Sequence, residues 1–458
     1  MFRSFGFRIL NLFRISDFVL RIYLFMTKLK YILGLNARNQ RFLKLNPQKG
    51  RRIADSKLLT KKVLKKRKIS HPELYAKLDS QKAIDEFDWL SLKRGFVLKP
   101  SEGWGGEGIL VIKKPAKYAG EWQLMDGKKV GISDLKLHAQ DIIGGRYSRN
   151  KAPDTAFVEE RIKIHPVFSK IARGGTPDVR VIVYSQVPVM AMLRLPTEES
   201  RGKANLHQGA IGLGLDVATG ITTYGIHGLA KSITHFPHTD KKVNGIRVPF
   251  WEEVLEIAIR SQKACDLGYL GVDIVLDKEK GPMVLELNDQ PGLGIQIANM
   301  KGLLGRLDRT EGLEVESAEK GIKVADVLFA ERFADKVKAK RGRKILGIFE
   351  KAKVKDDKGE KVEVIAKVDT GAFRTSIDRE LAKKLGLLKK RHVLWRKTYK
   401  SALGRERRPV IEVEFWLQGR KVKSAVNVAK RSGLTSKLLV GRRDLTKFVV
   451  DPSKGRNY

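Results

Sequence analysis

Cysteine is nearly absent: Cys265 is the only one in 458 residues. No internal disulfide can form, and a reducing cytoplasm is the expected compartment. The eight histidines are scattered, and with one cysteine they offer no close zinc-ligand spacing. No stretch of eighteen uncharged apolar residues occurs, so no membrane-spanning helix is expected. Acidic residues are scarce at both ends. Residues 1–70 hold 19 Lys and Arg against 2 acids, and residues 336–458 hold 36 against 13. These excesses account for the whole formal charge of +40, so residues 71–335 are neutral. Both ends favour anionic neighbours: membrane lipid, nucleic acid or an acidic polypeptide. No pattern of aromatic residues interleaved with basic ones accompanies the charge, so no specific nucleic acid is expected.

What is present suits two or three globular domains, with 42% apolar and 31% charged residues. Residues 1–35 alternate apolar side chains with Arg3, Arg8, Arg14, Arg21, Lys28 and Lys30, and Asp17 is the only acid before Asp55. The segment fits three roles: a basic amphipathic helix on an anionic membrane surface, a transit peptide, or a helix packed on the next domain. Residues 36–88 read as a mostly helical lead-in. Within it Asp55 to Lys61 opens an apolar-basic helix on which Lys57 or Lys61 can face a phosphate.

The most informative stretch is Gly268 to Gly294, GYLGVDIVLDKEKGPMVLELNDQPGLG. Val272–Asp277 and Pro282–Asn288 are short β-branched-rich runs, and Lys278 to Gly281 between them is a turn signal. A tight turn there sets Asp273 opposite Glu286, and period-two alternation places Asn288 on the same face. Three oxygen donors then converge, as a hard cation such as Mg²⁺ requires. The plainer alternative is a half-exposed hairpin with its acids in water.

Gly95 to Lys113, GFVLKPSEGWGGEGILVIK, satisfies GxGxxG literally through Gly103, Gly105 and Gly108. A dinucleotide-binding turn needs a helix after the last glycine, whereas Ile109 to Ile112 reads as a strand. The expectation is a strand, a flexible flap of Gly103, Gly105, Gly106 and Gly108, and a second strand, with backbone N–H groups able to close over phosphates. Lys99 precedes the flap as a point charge for a phosphate. A glycine-rich surface hairpin is the structural alternative. Ala156 to Ile162 reads as a strand entering a polar hinge that contains Glu159 and Glu160. Arg180 and Arg194 sit in otherwise apolar strands and need an anionic partner, which a nucleotide phosphate or a substrate carboxylate would supply. Ala204 to Gly214, with Asn205, His207 and Gln208, reads as a ligand-holding loop or a satisfied turn.

In this order the pieces resemble the ATP-grasp superfamily, and most nearly its alpha-L-glutamate ligase homologues and sugar-transfer-associated group. The phrases LGLNARN, DSKLLTK, ANLHQGAIGLG and ELNDQPGLGIQIAN carry the likeness over about residues 31–335. The resemblance implies ATP, Mg²⁺ and an acyl-phosphate mechanism in which a carboxylate is phosphorylated and an amine displaces phosphate. It implies phosphate-binding roles for Lys99 and Lys57, and an adenine hinge at Glu159 and Glu160. Arg180 then steadies the transferring phosphoryl, and Asp273, Glu286 and Asn288 hold the metal.

Residues 336–344 form a basic linker, and the rest reads as short strands. Val364 to Ile377, VIAKVDTGAFRTSI, and Leu438 to Leu445, LLVGRRDL, together resemble the retropepsin-like aspartic proteases over about residues 345–455. Such an enzyme shares a proton between two carboxylates, and this region offers only Asp369 in an Asp-Thr-Gly. A homodimer through this domain is therefore implied; an inactive barrel that binds acidic peptide is the alternative. The fold class expected is α+β. An ATP-grasp domain over 36–335 precedes an all-β retropepsin-like barrel over 345–458.

Overall fold

The computed structural model describes residues 31–452, apart from 104–105, 149–150, 173, 330–343, 402–403, 432, 434–435 and 447. Most of the basic segment read over 1–35, most of the linker at 336–344, and Gly105 of the flap lie outside the described residues. The rest divides into two compact units. One holds residues 31–184, 188–215 and 220–309; the other holds 185–187, 216–219 and the residues from Thr310 onward. The domain boundary expected at 335 also falls outside the described residues.

In the first unit a six-stranded sheet runs in the order Leu74–Leu78, Ala156–Glu160, Phe96–Pro100, Leu110–Pro115, Glu121–Leu124, Lys129–Gly131. Helices Gln81–Glu86 and Ile132–Ile143 supply Ile84, Leu135 and Ile142 to a core with Leu78, Phe96, Leu98 and Trp122. Phe96–Pro100 and Leu110–Pro115 pair antiparallel, Val97 with Val111 and Leu98 with Leu110. The glycine-rich segment is thus the connection of a hairpin, as its strand-forming flanks predict.

The second sheet of this unit has seven strands: Lys231–Ile233, Thr222–His227, Ile211–Leu215, Val187–Leu195, Asp178–Tyr184, Tyr269–Asp277, Gly281–Asn288. The middle strands Ile211–Leu215, Val187–Leu195, Asp178–Tyr184 and Tyr269–Asp277 are buried at every position. Both their faces are covered, so a charge placed on them must find a partner inside. Helix Trp251–Cys265 covers Asp178–Tyr184 and Tyr269–Asp277, burying Val254, Leu255, Ala258 and Ile259. The residues before Gln48 brace the hairpin that follows. Arg38 donates to the carbonyls of Gln290 and Pro291 at 3.2 and 3.1 Å, and the Asn46 side chain bonds both backbone groups of Tyr269.

The second unit closes a six-stranded barrel. Phe349–Lys355, Lys361–Asp369, Leu438–Gly441, Ser376–Asp378, Arg420–Ala429 and Gly404–Leu417 follow one another, and the last pairs back onto the first. Val393–Ser401 adds a hairpin arm to Gly404–Leu417. Leu438–Gly441 lies between two strands joined by the Asp-Thr-Gly turn, parallel to Lys361–Asp369 and antiparallel to Ser376–Asp378. The β-rich reading of this region therefore describes it, with one helix among the described residues, Arg379–Lys384, inserted.

Candidate active site

The expected metal hairpin forms, with a turn one residue shorter than Lys278 to Gly281 because Gly281 pairs with Asp277. Tyr269–Asp277 and Gly281–Asn288 pair antiparallel with Asp273 opposite Glu286, and an irregularity follows between Asp273 and Ile274. Asn288 stands two residues past Glu286, where alternation returns its side chain to the same face. On the other side Tyr269–Asp277 pairs with Asp178–Tyr184, and Arg180 is the register partner of Asp273.

That second pairing supplies the anionic partners the arginines need, and they are protein carboxylates. Arg180 donates to Asp273 through Nε and a terminal nitrogen at 2.7 and 2.6 Å. Arg194 holds Asp178 the same way at 2.6 and 2.7 Å and reaches Asp273 Oδ2 at 2.7 Å. All four residues are buried, two positive and two negative. Burial pushes the Asp178 carboxyl up, with the neighbouring Asp273 charge adding to the rise. Burial opposes ionisation at Asp273 as well, but the two guanidiniums outweigh it and hold that carboxyl low.

Among the described residues no group of three or more His, Cys, Asp or Glu side chains could hold a metal ion. The expected set is two carboxylates and one amide. Its chemistry suits a hard cation, and its members already have work. Asp273 uses three of its roughly four acceptor positions on arginine. Asn288 Oδ1 accepts from the Gln290 N–H at 3.0 Å. Glu286, more open than the buried Asp273, lies 3.5 Å from Lys57 Nζ.

Lys57 and Lys61 lie one turn apart on helix Lys57–Lys66, whose N-cap Ser56 accepts from the Leu59 N–H. Lys57 reaches the carbonyl of Gly103 at 3.1 Å and that of Ser101 at 3.4 Å. Lys61, the other lysine read from this helix, is buried. Its Nζ donates to the Pro72 carbonyl at 2.6 Å and lies 2.7 Å from Glu159 Oε2, while Lys99 Nζ lies 2.5 Å from Glu159 Oε1. Two buried ammonium groups thus share one buried carboxylate. Burial lowers the Lys61 ammonium pKa, with Lys99 adding to the fall and Glu159 opposing it. Burial works against the Glu159 charge, yet Lys99 and Lys61 hold its pKa below the ordinary value.

The other expected residues are placed as follows. Glu160 is turned to the rim, 2.6 Å from Lys280, and accepts from the Glu73 N–H at 3.3 Å. Asn205 caps the short helical turn Leu206–Gln208 by accepting from His207 N, a structural bond. Gly106 and Gly108 have φ of +77° and +72°, and a side chain at Gly108 would meet the Tyr147 ring at 2.6 Å. Glu107 of the flap pairs with Lys203. In the second unit Asp369 Oδ1 accepts from Gly371 N and Ala372 N at 2.9 and 3.0 Å. Behind it, buried Thr375 donates to buried Asp444, which also accepts from Ser424 at 2.7 Å.

Comparison with known proteins places these features. A chain of 26% identity over 247 residues is the tetrahydromethanopterin:alpha-L-glutamate ligase of Methanocaldococcus jannaschii; the match takes in 54% of this chain and 62% of that relative's length. The D-alanine–D-alanine ligase of Bacillus anthracis matches 65% of this chain and 71% of its own at 14% identity, with a TM-score of 0.31. The simian foamy virus protease matches 21% of this chain and 90% of its own at 18% identity, with a TM-score of 0.17. Likeness as distant as these two structures bears on neither activity nor substrate. The model of the sugar-transfer associated ATP-grasp family, by contrast, matches residues 37–312, more than half of the chain and all of the lysine, arginine and carboxylate site. The chain belongs to the sugar-transfer associated ATP-grasp family.

Proposed function

We propose that the first unit is an ATP-dependent carboxylate–amine ligase. ATP phosphorylates a carboxylate, and an amine then displaces phosphate to leave an amide. Lys57 carries this reading: its Nζ lies 3.1 Å from the Gly103 carbonyl and 3.5 Å from Glu286. Glycines suited to cradle phosphates and a carboxylate suited to hold a cation therefore face each other across one side chain. Lys99, Lys61 and Lys57 neutralise phosphate oxygens, and Arg180 and Arg194 stand next to the same hairpin. Glu286, Asn288 and the remaining acceptor position of Asp273 would hold Mg²⁺, which supplies further charge neutralisation at the phosphates. The carboxylate and amine are amino acids or peptides. The test is phosphate release from ATP and Mg²⁺ across a panel of amino acids and acidic peptides. Release that needs a particular pair and disappears in Glu286→Gln supports the ligase; equal release from the variant refutes it.

We also propose that the second unit is retropepsin-like and binds or hydrolyses peptide, with Asp369 as its acid. The supporting observation is the strand inserted beside the Asp-Thr-Gly turn, which pairs Asp369 with Gly441. Hydrolysis needs Asp369 of a second chain on a two-fold axis. Arg442 stacks on the half-exposed Phe373 of the same turn, and the +23 charge of residues 336–458 suits acidic tails. Wild type should cleave an oligoglutamate peptide faster than a neutral one, and Asp369→Asn should abolish cleavage. Cleavage of the neutral peptide in preference sinks the acidic-tail assignment. Undiminished cleavage by the variant sinks the role of Asp369.

A further inference from the structure

Side chains from two helices donate to carbonyls at the two ends of the glycine segment. Lys57 reaches the Gly103 carbonyl at 3.1 Å. At the other end His138 Nε2 lies 2.9 Å from the Gly108 carbonyl. A carbonyl oxygen only accepts, so Nε2 carries the proton and donates it. His138 belongs to helix Ile132–Ile143, three residues after Leu135 and four before Ile142, both buried in the core of the first sheet. Those intervals place all three on one helix face. The packing that seats the helix therefore also fixes where the imidazole stands.

Residues 106–108 are shaped for that bond. Gly106 and Gly108 have left-handed φ of +77° and +72°. The ring of Tyr147 lies so close to Gly108 that a Cβ there would meet it at 2.6 Å. The same ring lies 5.4 Å from the His138 ring, tilted by 40°, and so backs the imidazole as well. Glu107, between the two glycines, pairs with Lys203.

Turns with left-handed residues can present successive N–H groups as a concavity for an anion. A carbonyl turned into such a concavity would set the negative end of its dipole against phosphate oxygens. In a trans peptide the C=O and N–H point opposite ways. Holding the Gly108 carbonyl against the helix therefore directs the Ile109 N–H away from it. We propose that His138 is a positioning residue for nucleotide phosphates: it removes the Gly108 carbonyl from the concavity and leaves the N–H groups of residues 106–109 to the phosphates. The role presupposes the nucleotide site of the proposed ligase, to which His138 adds no direct contact.

The test is equilibrium dialysis of the full chain against a non-hydrolysable ATP analogue with Mg²⁺ and, separately, against adenosine, which has no phosphate. His138→Leu should weaken binding of the analogue about ten-fold, the worth of roughly one hydrogen bond, and change adenosine binding less than about two-fold. His138→Gln, whose amide can donate to the same carbonyl, should recover most of the loss, and His138→Asn, too short to reach it, should not. Should His138→Leu fail to fold, the Gln and Asn variants make the same comparison. Analogue binding equal to wild type in both the Leu and Asn variants overturns the proposal. So does an equal loss of analogue and adenosine, which is the mark of a merely structural side chain, or a Gln variant as weak as Asn. A wild-type chain that binds neither compound refutes the ligase reading and this role with it, whereas normal wild-type binding beside unaffected variants refutes this role alone.

Discussion

Glu159→Gln removes one negative charge from between two buried ammonium groups and leaves the shape of the side chain unchanged. In the structure Lys61 and Lys99 lie 2.7 and 2.5 Å from the two Glu159 oxygens, and all three residues are buried. At an effective dielectric constant of about 20, unit charges at such separations attract by roughly 6 kcal/mol, most of it offset by desolvation. Removing one partner of a buried pair costs about 3–5 kcal/mol, because the remaining charge stays buried without its counter-ion. Here two like charges remain, so the upper half of that range is expected at pH 7. Urea unfolding followed by circular dichroism and tryptophan fluorescence measures it, since buried Trp89 and Trp122 belong to the core beside this strand. The pH dependence gives a second reading. The Glu159 pKa is held below its ordinary value near 4.5, so its contribution is complete above about pH 4.5 and is lost as pH falls through the lower folded value. The gap between wild type and variant must therefore narrow in acid. Glu160→Gln, at the pair whose Lys280 side chain stays half-exposed and can regain water, should cost about 1 kcal/mol or less. A Glu159→Gln loss no larger than that control, or one that stays constant down to pH 3, refutes the buried-cluster argument.

Gly108→Ala should lower stability by about 1–3 kcal/mol and weaken ATP binding several-fold, because φ is +72° and the new methyl meets the Tyr147 ring. Equilibrium dialysis with ATP beside a thermal melt separates the two effects, and an unchanged melt counts against the close approach. Thr375→Val keeps the shape but removes a donor to Asp444 and the acceptor of the Gly441 N–H, a bond of 3.2 Å. Two buried partners lost at about 1–3 kcal/mol each predict a fall of roughly 2–6 kcal/mol in unfolding of the second unit, read by urea titration.

The readings that rest on local rules agree with the structure in outline. Asp273 does stand opposite Glu286, but the turn is one residue shorter than Lys278 to Gly281, and an irregularity between Asp273 and Ile274, which alternation cannot show, restores the pair. A GxGxxG leading into β-branched residues gave a hairpin where a helix would have made a dinucleotide site. What escaped was long-range. Lys57 and Lys61 share a helix face, and the sequence holds nothing to rank them; Pro72 and strand Ala156–Glu160 bury Lys61. The arginines were expected to find their anions in a ligand, and in the structure Asp178 and Asp273 supply them. Only the adjacency of Asp178–Tyr184 and Tyr269–Asp277, 85 residues apart along the chain, shows that Asp273 is one of them. Arg38, inside the phrase LGLNARN, carried no readable role until its two carbonyl partners at Gln290 and Pro291 were seen.

The pairings also constrain how the proposed ligands bind. Lys61 and Lys99 are neutralised in part by Glu159, and Asp273 is neutralised by Arg180 and Arg194. A phosphate reaching the lysines, or a cation reaching Asp273, arrives by exchange with an internal partner. A cation alone at Asp273 would add positive charge beside two buried guanidiniums, which is unfavourable in a low-dielectric interior. Phosphates arriving with it restore the balance, because they offer the arginines and lysines new acceptors. In the proposed ligase, cation and nucleotide affinities should therefore be coupled. Mn²⁺ titration followed by its electron paramagnetic resonance signal should show at least ten-fold tighter binding with a non-hydrolysable ATP analogue than without it. Neutralising Arg180 by Arg180→Met should raise the affinity for Mn²⁺ alone and shrink that ratio. Should Mn²⁺ bind wild type and variant equally without nucleotide, Asp273 takes no part in holding the cation and is a purely structural counter-ion to the two arginines.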